Sequence, residues 1–259
     1  MAGSYYALVT GASSGIGECF VHELAARGRN VILVARSARK LEDMTRMLSS
    51  KRNVGMKPIS LDLSEPGAAA RLATTLRERG LAVDLLVNNA GFGARGRFWE
   101  LPLDRQAAMV RLNIQAVVEL THLLLPPMVE ARRGAIINVS STAGFQAVPY
   151  TSMYGATKAF VTSFSEGLAE ELRPFGIAVV TLCPGGTRTN FHIASNYGQP
   201  PLPGGMQGPE AVVRATLAAL DRGGGMVVPG IMNKLSLVSQ RLIPRRLVTK
   251  VTARIFYPE

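Results

Sequence analysis

The 259-residue sequence predicts an α/β protein, a single domain on a parallel, doubly wound sheet of about seven strands. Three observations predict it. Short apolar runs of strand length alternate with stretches of helical periodicity along the chain. A glycine-rich turn follows the first run directly and opens the first helix. The polar motifs recur just after apolar runs, where a parallel sheet presents the C-terminal ends of its strands.

Tyr5-Tyr-Ala-Leu-Val-Thr10 leads into Gly11-Ala-Ser-Ser-Gly15-Ile-Gly17. Residues 18–27 then have helical spacing, with Phe20, Val21, Leu24 and Ala25 on one stripe. Glycines let backbone approach an anion closely, and free N–H groups at a helix start supply positive potential, so this unit reads as a phosphate site. Its spacing differs from the commoner G-x-G-x-x-G. Strands are expected at 31–35 and 57–61 around a helix over 38–49. Residues 85–87 run into Asn88-Asn-Ala-Gly91, and 105–129 have helical periodicity. A strand at 135–140 precedes the helix of Tyr154, one at 178–182 precedes Pro184-Gly185, and 226–228 form a last short strand. Right-handed crossovers then place helices on both faces and gather the polar motifs at one sheet edge.

Within that edge, Tyr154-Gly-Ala-Thr-Lys158 puts a phenol and an ammonium on one helix face, and Ser141 lies thirteen residues before Tyr154. Free tyrosine titrates near about 10, and a fixed positive charge close by favours its phenolate. Ser141 offers a neutral donor to a substrate oxygen. Its neighbour Ser140 is the rival, since successive strand residues face opposite sides; the spacing to Tyr154 favours Ser141.

These motifs, in this order, resemble the short-chain dehydrogenase/reductase family. The resemblance rests on Thr10-Gly-Ala-Ser-Ser-Gly-Ile-Gly17, Asp62, Asn88-Asn-Ala-Gly91, Asn113, Ser141, Tyr154-x-x-x-Lys158 and Pro184-Gly185. It implies a Rossmann-type fold and an oxidoreductase acting on CH–OH and C=O groups, with Asn113, Ser141, Tyr154 and Lys158 as its catalytic set. Tyr154 would protonate the developing alkoxide. Lys158 would lower the Tyr154 pKa and hydrogen-bond the cofactor ribose. Asn113 would hold a water linking the lysine to solvent. Gly11, Ser13, Ser14, Gly15, Ile16, Gly17, Arg36, Asp62, Leu63, Asn89, Ala90, Gly91, Pro184, Gly185, Thr187 and Thr189, with Tyr154 and Lys158, would bind the cofactor. Asp62 would accept from the adenine amino group, or cap the turn within Leu61-Asp-Leu-Ser64.

The cofactor expected is NADP(H). An acid ending the second strand would favour NAD, but that strand ends Val34-Ala35-Arg36, and a guanidinium pairs with a phosphate in two-pronged fashion. Ser13 and Ser14 can add donors, and Arg39 and Lys40 can help or simply face solvent. By resemblance the Ala-Arg pair marks NADP-preferring members.

The substrate expected is a hydrophobic ketone, among them a 3-oxoacyl thioester, or a hydroxysteroid or other lipophilic alcohol in the reverse direction. An NADP(H)-binding sensor or scaffold is the non-enzymatic alternative. Phe145, Val148, Pro149 and Phe191 are candidates for an apolar wall, and the Pro- and Gly-rich segment 190–210 for a substrate lid.

Cys19 and Cys183 lie in apolar runs without clustered ligands, which argues against a disulfide and against a metal site. The first strand starts within a few residues and no apolar run reaches 18 residues, so a soluble cytoplasmic protein without a signal peptide or spanning helix is expected. The net charge of +11 carries no nucleic-acid motif with it. Part of it lies in a basic amphipathic extension, 232–259, where Lys234, Arg241, Arg245, Arg246, Lys250 and Arg254 alternate with apolar residues. That extension can lie on an anionic membrane, dock an acidic carrier or coenzyme A phosphates, or cover a subunit interface; the family is commonly dimeric or tetrameric.

Overall fold

The computed structural model describes residues 5–191 and 205–258. Its seven strands are β1 Tyr5–Thr10, β2 Asn30–Ala35, β3 Met56–Ser60, β4 Ala82–Asn88, β5 Ala135–Val139, β6 Ala178–Leu182 and β7 Gly225–Val227. They form one sheet in the order β3-β2-β1-β4-β5-β6-β7, parallel throughout. This is the Rossmann-type doubly wound domain that the alternation predicts. The order reverses between β1 and β4, and the crevice beyond their C-terminal ends is where such sheets hold ligands.

The core follows from strand periodicity. Ala7 and Val9 of β1 face one layer, with Phe20, Val21, Leu41 and Leu217, while Leu8 between them faces the other, with Leu72, Leu120 and Leu168. Both faces of the central strands are buried, so they read as continuous apolar runs. The helices are α1 Gly15–Ala26, α2 Ala38–Arg52, α3 Ala68–Glu78, α4 Leu103–Val110, α5 Ala116–Glu130, α6 Ser152–Leu172, α7 Pro209–Asp221, α8 Ile231–Leu242 and α9 Arg245–Ile255.

Several boundaries differ from the sequence expectation, each for a physical reason. β4 begins at Ala82 instead of 85, because Asp84, which interrupts the apolar run, is buried between Arg29 and Arg133. The helix expected over 105–129 contains a π-helical segment, Arg111–Gln115, between α4 and α5. Leu103–Glu130 as a whole is long and apolar enough to cross a membrane, contrary to the expectation that no segment is. It runs along the sheet with Ala116, Leu120 and Met128 in the core. The basic extension is two helices, because Pro244 disfavours helical backbone at Ile243, which is extended (φ −107°, ψ 136°). Residues 192–204 of the expected lid lie outside the described residues, and Pro209 and Glu210 belong to α7.

Candidate active site

A cavity of about 940 Å³ opens along the C-terminal edge of the sheet. Every residue that the sequence singles out for catalysis or cofactor binding stands on its wall except Gly17 and Asn113, which support it from behind.

The glycine turn is locked by Thr10. Its hydroxyl donates to the Val87 carbonyl (3.2 Å) and accepts from the N–H groups of Asn89 and Ala90 (both 2.9 Å). Asn89 returns a bond from Nδ2 to the Thr10 carbonyl at 2.8 Å. Gly11 takes a left-handed φ of 65°, and a Cβ on Gly17 would lie 2.2 Å from the Gly11 carbonyl oxygen. No side chain fits there. Ser14, the extended N-cap of α1, makes no side-chain capping bond, and Ser13, Ser14, Gly15 and Ile16 border the cavity. Free backbone N–H groups of a helix start, with room for an anion against them, fit the pyrophosphate of a dinucleotide.

At the far end of this crevice Arg36 follows β2 directly, its side chain 81% exposed. Asp62 Oδ1 accepts from the Ser64 N–H (2.9 Å) and hydroxyl (2.7 Å), and Oδ2 lies 3.9 Å from Arg36. The turn-capping role and the place on the wall are thus both real. Burial alone would raise the Asp62 carboxyl; the Ser64 hydrogen bonds and the Arg36 guanidinium outweigh it and hold it below its ordinary value.

The two serines after β5 divide the work. Ser140 is buried, donating to the Lys158 carbonyl at 2.8 Å and sharing a 2.7 Å bond with the Thr162 hydroxyl, so it fastens α6 to the sheet. Ser141 faces the cavity, accepts from the Ala143 N–H at 3.1 Å and hydrogen-bonds Tyr154. Lys158, one turn after Tyr154, donates from Nζ to the Val139 carbonyl at 2.7 Å, and Nζ lies 5.8 Å from the Tyr154 ring centroid.

Burial pushes the Tyr154 phenol up to about 12 against the opposing Ser141 hydrogen bond, and pushes the Lys158 ammonium down to about 8. The depression of Tyr154 expected from its lysine is not found in this structure, where burial sets the direction. The phenol is fully protonated at neutral pH.

Asn113 lies in the π-helical segment, almost wholly buried. Its Nδ2 donates to the Phe92 carbonyl and the Thr157 hydroxyl (both 3.0 Å), and Oδ1 accepts from the Phe92 N–H at 3.2 Å. Its side chain is thus a three-way clamp between α6 and the loop after β4. Thr187 donates to the Gly185 carbonyl at 3.1 Å, and Thr189 packs where a Cβ on Gly15 would be.

Of the expected apolar wall, Val148 and Phe191 stand on the cavity, Phe191 with its ring 5.4 Å from that of Tyr154. Phe145 ends a short 3-10 turn and lies off the wall, and Pro149 lines a separate small cavity. Further parts of the wall come from residues that no sequence motif marks: Arg105 and Gln146, then Asn233, Gln240, Leu247 and Val251 of the C-terminal helices, and Phe256 just after them. Asn233 also presses on the Pro184–Gly185 turn, where a Cβ on Gly185 would lie 2.5 Å from its oxygen. No local motif marks these positions.

The family model described as short chain dehydrogenase matches residues 5–199. The chain is 33% identical to very-long-chain 3-oxoacyl-CoA reductase-B of Danio rerio over 252 residues, 95% of this chain and 78% of that protein. It is 38% identical to the very-long-chain 3-oxoacyl-CoA reductase of Rattus norvegicus over 183 residues, 69% of this chain, and the match spans 58% of the rat protein's length. Among solved structures, a short-chain dehydrogenase from Sphingobium yanoikuyae in complex with NADPH is similar with a TM-score of 0.82 and 32% identity, covering 92% of this chain and 94% of that one.

Two outcomes follow from the geometry. Ser141→Ala is expected to lower kcat by about 10²–10³-fold. Ser140→Ala is expected to leave kcat within a few-fold and to lower stability by about 1–2 kcal/mol. Steady-state kinetics and urea unfolding of both variants check the division of labour.

Lys158 predicts a pH dependence of stability. Its folded pKa of about 8 lies below the ordinary 10.5, so between these values the unfolded chain holds more protons than the folded one. Stability from this group is complete above the unfolded value and is lost as pH falls through about 8. From pH 8 to 10, wild type should gain about 2 kcal/mol relative to Lys158→Met. Parallel urea-melt profiles for the two proteins would contradict the burial of this ammonium.

Proposed function

The chain belongs to the short-chain dehydrogenase family, an oxidoreductase of hydroxyl and carbonyl groups that uses a nicotinamide dinucleotide; from this premise we propose that it is an NADPH-dependent reductase of a hydrophobic ketone, with 3-oxoacyl thioesters as its substrate class. The observation that carries the reading is Ser141, Tyr154 and Lys158 converging on one cavity whose far wall is apolar.

A bound nicotinamide supplies the hydride that reduces the carbonyl carbon. Ser141 orients the carbonyl oxygen by hydrogen bonding. Tyr154, a neutral phenol that burial makes a weaker acid still, donates its proton to the alkoxide as the C=O bond becomes C–OH. The Lys158 ammonium, held by Val139, stabilises the phenolate left behind. Asn113 acts as a positioning residue, holding α6 against the loop after β4.

Arg36 directly after β2, with Ala35 where an acid would repel a 2′-phosphate, supports NADPH over NADH. The similarity to very-long-chain 3-oxoacyl-CoA reductases and the apolar side chains Phe92, Phe191, Leu247 and Val251 support a lipophilic substrate. The two free cysteines support a reducing, cytoplasmic setting.

The test is oxidation of NADPH and NADH with medium- and long-chain 3-oxoacyl thioesters, hydroxysteroid-derived ketones and simple aldehydes. Tyr154→Phe should lose about 10²–10⁴-fold in turnover while still binding NADPH; unchanged turnover would sink the mechanism. A wild type that binds NADPH tightly and reduces nothing would be a sensor or scaffold. Arg36→Ala should raise the KM for NADPH about 10–100-fold and leave that for NADH nearly unchanged. Equal effects on both cofactors would remove Arg36 from phosphate recognition.

A further inference from the structure

Nine of the eighteen large apolar side chains that stand exposed among the described residues lie between Ile231 and Tyr257. Their placement on α8 is inverted. That helix turns Asn233, Ser236, Leu237 and Gln240 to the cavity, whereas Ile231, Leu235, Val238 and Leu242 form one outward stripe, each 56–84% exposed. A helix on a water-facing surface normally does the opposite. A continuous apolar stripe left outside marks a face that meets something other than water.

α9 adds charge beside it in the sequence. Arg246, Lys250 and Arg254 recur at helical spacing on its exposed side. Leu247 and Val251 line the cavity and are also about half exposed, at 52% and 48%, so they stand where the cavity opens to the outside. From Ile231 to the last residue there are six basic residues and one acid, Glu259.

Charge decides the occupant. A second copy related by a two-fold axis would set these basic helices against themselves, like charge to like. An anionic lipid surface satisfies both features at once, with apolar side chains at the acyl boundary and cations among the phosphates. We propose that α8 and α9 dock on an anionic bilayer, with the Ile231–Leu235–Val238–Leu242 stripe in the lipid boundary and the cavity mouth turned toward it. A lipophilic substrate then enters from the lipid. The docking goes beyond the reductase reading and does not depend on turnover.

The experiment is flotation of the full chain with phosphatidylcholine vesicles that contain or lack phosphatidylglycerol. The protein should float with the anionic vesicles alone and be released at high salt. Each basic side chain at the surface contributes about fivefold, so Arg246→Ser with Lys250→Ser should weaken partition about 25-fold. Leu235→Asp, Val238→Asp and Leu242→Asp together should abolish flotation, with the wild-type circular dichroism spectrum and thermal midpoint retained. Failure of the wild type to float, or equal flotation of the triple variant, would overturn the proposal. So would a dimer in light scattering that the triple variant splits into monomers, which would make a second copy the occupant of the stripe. A wild type that floats but reduces no ketone would leave the docking intact and remove only the enzymatic reading.

Discussion

The site depends on how α6 is fastened to the end of β5. Four side chains make that seam. Ser140 binds the Lys158 carbonyl, Thr162 binds the same carbonyl at 3.0 Å, Lys158 binds the Val139 carbonyl, and Asn138 donates to Ser165 at 2.9 Å. Asn88 extends the chain of bonds to β4 and α5 through Asn138 and Thr121. Buried polar groups are costly when unpaired and rigid when satisfied. Here they are satisfied by one another, and together they fix the depth and rotation of α6 and hence the place of Tyr154 relative to Ser141, with enough bonds that the loss of one leaves the helix held.

The same economy of position governs the other half of the crevice. Gly17 has no room for a methyl group because the Gly11 carbonyl lies against it, and Asn89 closes the space beside both. Thr10 ties this turn to the loop after β4, whose next residues, Gly91 and Phe92, pack on Asn113. The anion cradle and the proton-donor cluster are therefore linked through one short loop. Side chains remote from the cavity floor, Thr10 and Asn113, hold the two ends of the site in register.

Much of this was legible in the sequence. The bounds of β1 and β6 coincide with their apolar runs, since strands buried on both faces carry little else. The Ser140/Ser141 choice followed from spacing, and the cavity wall holds nearly every residue that the motifs named. What local pattern cannot encode is tertiary. The π-helical segment at Asn113 keeps helical periodicity on either side. The sign of the Tyr154 shift depends on how deeply the helix is buried, which no pair of residues reveals. Arg105 and Asn233 reach the cavity only because elements remote from its motifs fold over it.

The C-terminal helices show why apolar content and apolar direction are separate questions. The alternation of Leu, Val and Arg after residue 231 reads as amphipathic, but helical spacing alone does not say which face turns inward. In α9 the apolar side lines the cavity, as a packed helix should. In α8 the inward positions are Asn233, Ser236, Leu237 and Gln240, three of them polar, and Asn233 is committed to the Pro229 carbonyl at 2.7 Å and to the Pro184–Gly185 turn. That commitment sets the rotation of α8. With its polar edge engaged against the site, the Ile231–Leu242 stripe has nowhere to point but outward. The exposure of the stripe is thus a consequence of how the cavity wall is built.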